Sequence, residues 1–347
     1  MKNIVLILIL GAFTLWLSSC EKIIMHPKPD ADNLSVFNEY AKICTEKFGL
    51  TEIKGIDIPL LADSIRPYIN DNLSQEELFN YMAIIATRLH EGHSSLEVPD
   101  LNLYAGYTHY EGYPYAAGTN TYLNYYSSTA NPDSKYIGTA LYETQRIQYG
   151  RYMQDEDIGF IRLTTFEVEA TNEEIEAMLQ DLSDTKGLVI DVRINLGGYV
   201  VLASQLASFF TTHEIEFGTN YIKNGPGPDD FAGSKLKLEP SNSPFTYTKP
   251  IILLQDRITF SAASLFTIMM YSMDHVTTLG QIFGGGTGEI IDGYLSNGWK
   301  YNLSTSNLVD KFGRPTDNGV EPDIPLLFTP ADTINDPLID RAILELQ

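Results

Sequence analysis

The chain has 347 residues and a formal net charge of −22, from 45 acidic and 23 basic residues. This length fits one large domain, or a core domain with a smaller one attached. Because so acidic a chain repels phosphate backbones and shows no cluster of lysine or arginine, nucleic-acid binding is disfavoured as a function.

The N-terminal segment has the pattern of an export signal. Lys2 is followed by an apolar stretch over 4–17, which is shorter than a comfortable membrane span. The small residues before Cys20 resemble a bacterial lipobox, in which the cysteine is acylated. We expect a signal peptide at 1–19, a tether at 20–34 and a lipid-anchored protein of the cell envelope, at the outer membrane or the periplasmic face. An ordinary signal peptide cut elsewhere is the alternative.

Three helical patterns follow the tether and predict a helical lobe over 35–96. They cover residues 35–48, 59–69 and 74–92. Ser74 and Glu77 form the sequence pattern of a capping box at the start of the third pattern. Cys44 is the only cysteine besides Cys20, and it lies on an apolar helix face, so we expect a core residue and no intrachain disulfide.

A histidine stands just beyond the third helical pattern. His90 and His93 flank Glu91, which suggests a metal site at first sight. The helical zinc pattern places its histidines four positions apart on one continuous helix, whereas these are three apart and Gly92 interrupts the helix. We therefore predict no metal here, and leave open whether His93 is structural or functional.

Residues 97–156 are rich in tyrosine and glycine and predict a β-rich insertion of short antiparallel strands. Exposed tyrosines could stack on sugars, but aromatic residues in such strands more often pack against the sheet.

From residue 157 to 347 the pattern changes to alternating strands and helices. Residues 187–192 form a strand that is apolar on both faces, as in a parallel sheet covered by helices. A glycine pair and a helical pattern follow it, and a second strand at 251–254 is followed by Ser261 and another helical pattern. These are βαβ-type units, and they predict an α/β core.

The two turns of this core are candidate functional positions. A serine between a strand and a helix, as at Ser261, has its side chain pushed out of the sheet edge beside free helix N–H groups. That suits a nucleophile next to an oxyanion site, although serine also caps helices very often. The Gly197-Gly198 pair allows close approach of the backbone, either to a phosphate or to an oxyanion.

Several strings, taken together and in order, resemble peptidase family S41, the C-terminal processing and tricorn core proteases. They are the segment 89–96 with His93, GFIRLTTF at 159–166, GLVIDVRINLGG at 187–198, ITFSAASLF around Ser261, and GVEPDI at 319–324. The resemblance implies a ClpP/crotonase-like β-α-β core sheet with helices, next to the helical lobe and the β-rich insertion. We expect no PDZ domain, because the insertion shows no such pattern.

The resemblance also implies site residues. Ser261 matches the nucleophile, and Gly197 and Ala262 match the backbone donors of the oxyanion hole. His93 stands where the tricorn-like branch has its general base.

That branch also uses an acid near the C-terminal end to orient the base, for which Asp317 and Glu321 are the candidates, with Glu289 more distant. The chain departs from the pattern in three ways. The lysine of the other branch is missing from the glycine run at 284–286, Gly92 replaces a serine, and Ser264 stands where glutamate is frequent.

The implied activity is that of a serine-type endopeptidase without metal or cofactor, acting on a peptide or protein substrate. A catalytically silent surface lipoprotein that binds peptides or glycans is the alternative, and an esterase using the same serine is a third hypothesis.

Overall fold

The structure is a computed structural model that describes residues 31–109, 142–144, 147–152, 155–327 and 336–347. The predicted signal peptide (1–19), Cys20, and most of the tether (20–34) and of the insertion (97–156) lie outside the described residues, so these assignments stay predictions. Within the described ranges, no helix combines the length and the apolar character that a membrane span needs.

The helical lobe begins the described part of the chain. Its elements are α1 (Asn33–Lys47), α2 (Thr51–Lys54), α3 (Ile58–Ile65), a 3-10 turn (Arg66–Tyr68) and α4 (Gln75–Arg88). The predicted capping box at the start of α4 is present: the Glu77 N–H donates to Ser74 Oγ, and the Ser74 N–H donates to Glu77 Oε2. Cys44 is fully buried, as expected of a core residue. Helix α4 ends at Arg88, earlier than the predicted stop at Gly92, because His90 adopts a left-handed conformation with φ +51°.

The remaining elements follow in chain order. They are β1 (Ser95–Val98), a 3-10 turn (Pro99–Leu101), β2 (Leu103–Gly106), β3 (Tyr142–Thr144), β4 (Ile147–Arg151), β5 (Ile158–Leu163), α5 (Asn172–Asp181), β6 (Gly187–Asp191), α6 (Val200–Ser208), β7 (Ile215–Lys223), β8 (Phe231–Leu238), β9 (Ile251–Gln255), α7 (Ala262–Tyr271), β10 (Val276–Gly280), β11 (Ile290–Tyr294), β12 (Lys300–Ser304), β13 (Ser306–Asp310), β14 (Ile324–Pro325) and α8 (Pro337–Leu346).

The central sheet has seven strands in the order β14-β10-β9-β6-β5-β4-β3. Strands β14 to β5 are parallel, while β4 and β3 are antiparallel additions at one edge. The α/β core predicted from the alternating pattern is therefore confirmed. Because β6 and β9 are adjacent and parallel, the turns that follow them meet at the same edge of the sheet.

Helices cover both faces of this sheet. On β6, Leu188 and Ile190 pack into the core that includes α6 and α7. Val189 points to the opposite face and packs against α8. This alternation explains why the strand carries apolar residues on both faces, and it confirms that both faces are buried.

Two smaller sheets complete the described structure. One has the order β11-β12-β1-β2, so strands from the end of the chain pair with strands next to the helical lobe. Leu295, Trp299 and Leu303 from this late segment pack into the hydrophobic core of the lobe. The other sheet has the order β13-β7-β8.

Candidate active site

The turn between β9 and α7 holds Ser261 in an unusual backbone conformation. Its φ of 56° and ψ of −124° are outside the regions that most non-glycine residues adopt. Ser261 occupies the N-cap position of α7, but its side chain makes no capping hydrogen bond. The structure therefore does not support the alternative that Ser261 simply caps the helix with its side chain. Instead, Ser261 Oγ lies 3.1 Å from His93 Nε2.

The glycine turn after β6 comes into direct contact with the serine turn. A Cβ at Gly197 would lie 2.7 Å from Ser261 Cβ and 2.9 Å from the Ala262 nitrogen, so only glycine fits there. The Phe260 N–H donates to the Asn195 carbonyl at 3.0 Å and ties the two turns together.

The two predicted oxyanion donors differ in their availability. Ala262 is the first residue of α7, so its N–H has no acceptor within the helix. The Gly197 N–H donates to Asn195 Oδ1 at 2.8 Å. One donor is thus open, and the other is engaged by a neighbouring side chain.

His93 reaches the serine from a tight turn between α4 and β1. The Ser94 N–H donates to the Glu91 carbonyl, and the Ser304 N–H of β12 donates to Ser94 Oγ at 3.2 Å. Pairing of β1 with β12 therefore fixes the position of the turn that carries the His93 imidazole.

Glu91 is the acid that lies against the second ring nitrogen. Its Oε1 is 3.2 Å from His93 Nδ1, an ion-pair contact in which the ring N–H is not aligned for a straight hydrogen bond. The same oxygen accepts from the His93 backbone N–H at 3.0 Å, and Oε2 accepts from Ser94 Oγ at 2.8 Å. Burial raises the pKa of the Glu91 carboxyl, but the hydrogen bonds and charge of His93 outweigh it and bring the pKa to about 2.

The acids expected near the C-terminal end have other surroundings. Asp317 Oδ2 lies 2.5 Å from Lys54 Nζ, with both side chains almost fully buried. Burial raises the pKa of Asp317 in spite of the opposing effect of Lys54. Glu321 is exposed, and the exposed Glu289 accepts from the Asn220 side chain. Glu91 was not among the acids predicted to orient the histidine, although its position two residues before His93 is visible in the sequence.

The ring of Phe260 forms the wall behind His93. Its centroid lies 4.6 Å from that of His93 and 3.9 Å from that of His109, on which it stacks. Burial, with the charges of Arg257 and His93, lowers the pKa of His109 to about 4. His109 is therefore neutral at physiological pH.

His93 thus contacts the Ser261 hydroxyl through Nε2 and the buried Glu91 carboxylate through Nδ1. Over the part of the chain that the structure describes, no group of three or more histidine, cysteine or acidic side chains could hold a metal ion. Acyl transfer by a serine needs only the groups just described.

Comparison with known proteins gives the family. Residues 157–326 match the model of peptidase family S41. This segment contains Ser261, Ala262 and Gly197, whereas His93 precedes it. Residues 157–326 therefore belong to peptidase family S41, and the resemblance found in the sequence is confirmed. The search of curated proteins gave no match.

Solved structures show the same fold over nearly the whole chain. A candidate peptidase from Parabacteroides merdae is 26% identical, with a TM-score of 0.81 over 91% of this chain and 97% of that one. Mature CPAF in complex with lactacystin is 14% identical, with a TM-score of 0.65 over 91% and 97% of the two chains. The photosystem II D1 C-terminal processing protease is 12% identical, with a TM-score of 0.50 over 85% and 93%. Family and fold together support a peptidase, a hydrolase of peptide bonds.

Proposed function

We propose that the protein is a serine-type endopeptidase in which Ser261 is the nucleophile and His93 the general base. The single observation that carries this proposal is the 3.1 Å contact between His93 Nε2 and Ser261 Oγ, made by a serine whose side chain does not cap its helix. Base and nucleophile are 168 positions apart in sequence, so this contact is created by the fold.

Proton transfer requires one tautomer of the imidazole. Nε2 accepts the hydroxyl proton of Ser261 only if the ring proton is on Nδ1, facing Glu91. The buried carboxylate then stabilises the imidazolium that forms. We therefore assign to Glu91 the orienting role for which Asp317 and Glu321 were the candidates.

The steps of the reaction follow from these positions. Ser261 Oγ attacks the carbonyl carbon of the scissile bond while its proton passes to His93 Nε2. The Ala262 N–H stabilises the negative charge on the carbonyl oxygen. The Gly197 N–H adds a second hydrogen bond to this oxygen, either in place of its bond to Asn195 Oδ1 or as one bifurcated donor to both acceptors. His93 gives the proton to the leaving amine, and water then hydrolyses the acyl-enzyme.

The engaged Gly197 N–H is the observation that favours the second candidate, a catalytically silent binding protein. A site whose donor stays with Asn195 would hold a peptide without stabilising the tetrahedral intermediate. Membrane attachment through a lipid on Cys20 is compatible with either function and remains part of the proposal.

Covalent labelling separates the two candidates. A fluorophosphonate probe reacts with an activated serine, and mass spectrometry of the labelled peptide identifies the residue. We expect label on Ser261, none in Ser261→Ala, and a rate lower by about a thousandfold or more in His93→Ala.

The matched control is Ser264→Ala, since Ser264 lies in the same helix and is fully buried, with its hydroxyl bonded to the Thr259 carbonyl. This variant should label like the parent. A folded parent that takes up no label would support the binding protein instead.

A further inference from the structure

A polar cavity of about 220 Å³ lies between the helical lobe and the core. Its lining includes Lys54, His90, Tyr107, Arg257, Phe260 and Asp317. Neither Ser261 nor His93 lines it, so it is distinct from the candidate catalytic pair. The Phe260 ring, which packs against His93, is part of its wall.

Two cations line this cavity, and only one of them is neutralised. Lys54 forms a buried ion pair with Asp317. Arg257 donates from Nε to the His109 carbonyl at 3.2 Å, and from Nη1 to the carbonyls of Phe283 and Asn318 at 3.0 and 3.1 Å. These carbonyls have no net charge, and no acid of the described ranges forms an ion pair with Arg257.

An uncompensated guanidinium points to an anionic ligand. Arginine does not lose its charge in proteins, and a half-buried charge without a counter-charge is unfavourable. The Nη2 group of Arg257 makes no hydrogen bond within the described residues, so two donors of the planar fork remain available. Such a cavity is unexpected in a chain with a net charge of −22.

His90 and Tyr107, whose side chains can also donate hydrogen bonds, line the cavity as well. The rings of His90 and Tyr107 pack together with centroids 5.2 Å apart. The left-handed conformation of His90 is uncommon for a non-glycine residue, and such conformations cluster at functional sites.

Charge and shape select the class of ligand. A carboxylate is planar, matches the fork of an arginine, and has the single negative charge that Arg257 leaves uncompensated. A phosphate dianion would place excess negative charge next to Asp317. The volume accommodates a small molecule or one terminal residue of a peptide, and is below that of most drug-sized sites.

We propose that this cavity is a carboxylate-binding site with Arg257 as the charged partner. The ligand is either a free small carboxylate or the terminal carboxylate of a peptide. In both cases it binds next to Phe260, whose ring also packs against His93. A Cβ at Gly286 would lie 2.3 Å from the Phe260 ring and 2.9 Å from His93 Cε1, so there is little free space between the cavity and the base.

Binding is measured with the full chain in detergent, as the Ser261→Ala variant, so that no turnover occurs. Isothermal titration calorimetry compares N-acetylalanine with its uncharged analogue N-acetylalaninamide. We expect at least tenfold tighter binding of the carboxylate, and no measurable binding of either in Arg257→Met. Equal affinities for the two compounds, or no binding of the carboxylate, would overturn the proposal.

Because Arg257 also holds three backbone carbonyls, its replacement could disturb the fold. A second pair of variants at the exposed His90 avoids this problem, since aspartate and asparagine both tolerate a positive φ and differ only in charge. His90→Asp should weaken carboxylate binding about threefold to tenfold relative to His90→Asn at low ionic strength. Identical binding by the two variants would contradict the site.

The source of the carboxylate is decided with the unmodified protein, and this arm rests on the proposed peptidase function. Two peptides that differ only in a free or an amidated C-terminus are compared as substrates. A lower kcat/KM for the amidated peptide, with competition by N-acetylalanine, assigns the site to the substrate's terminus. Equal kcat/KM with binding retained assigns it to a free carboxylate. If no peptide is cleaved, the peptidase proposal fails, while the titration on Ser261→Ala still tests the site.

Discussion

Replacing Glu91 by glutamine removes the negative charge next to His93 while keeping the shape of the side chain. The amide oxygen can still accept from the His93 backbone N–H, and the amide nitrogen can donate to Ser94 Oγ, so the turn is preserved. The variant therefore tests the charge rather than the fold.

The magnitude follows from the contact distance. Opposite charges 3.2 Å apart, as for His93 Nδ1 and Glu91 Oε1, interact by about 5 kcal/mol at an effective dielectric constant of about 20. His93 is 17% exposed, and solvent screens part of this interaction. We expect a loss of about 2–4 kcal/mol of transition-state stabilisation, or about 30- to 1,000-fold in kcat.

The assay is kcat and kcat/KM for casein or a fluorogenic peptide across pH, with thermal unfolding as a check on the fold. Glu321→Gln is the control, because Glu321 is an exposed acid that the sequence also suggested for this role, and it should change kcat less than twofold. A folded Glu91→Gln variant with the parental kcat at every pH would refute the orienting role of Glu91.

The same carboxylate predicts a pH dependence of stability. Its folded-state pKa of about 2 is below its ordinary value of 4.5. Ionised Glu91 therefore stabilises the fold fully above about pH 4.5, and this contribution is lost as the pH falls through about 2. The melting temperature of Glu91→Gln should accordingly depend less on pH between these values than that of the parent, and equal dependence would contradict the assignment.

Two further substitutions test how the site is held. Lys54→Met leaves Asp317 buried without its partner and should lower the free energy of unfolding by about 3–5 kcal/mol in a urea titration. Lys235→Met, at an exposed ion pair, is the control and should lower it by less than about 1 kcal/mol. Similar losses in the two variants would show that the buried pair contributes little. Gly286→Ala should reduce kcat at least tenfold, because the added methyl group displaces Phe260 and His93. Gly313→Ala is the control: its φ is also positive, but the space around it is open, so kcat should not change. Equal effects of the two substitutions on kcat would point to backbone strain alone.

Local patterns predicted the elements that hold Ser261. Strand β6 carries apolar residues on both faces, and the serine turn lies between an apolar strand and an apolar helix, so local patterns indicated a parallel sheet built from βαβ-type units. The pairing of His93 with Ser261 required the family resemblance, because no local pattern relates two segments so distant in the sequence.

What could not be predicted depends on contacts between distant segments. Strand β12 pairs with β1, so part of the predicted core lies in the sheet next to the helical lobe. Antiparallel pairing of strands some 200 residues apart leaves no local signal. Lys54 contacts Asp317 for the same reason. Glu91 was missed because its contact with His93 depends on a turn that folds the side chain back onto the imidazole, and helical periodicity does not describe that turn.

The most direct test of the central claim is cleavage of an unfolded protein such as casein by the full chain in detergent, next to Ser261→Ala and His93→Ala. We predict cleavage by the parent, none by Ser261→Ala, and a rate at least about a thousandfold lower for His93→Ala. Cleavage by a folded Ser261→Ala variant at the parental rate would contradict the assignment of the nucleophile. A folded parent that cleaves nothing would contradict the proposed peptidase activity itself.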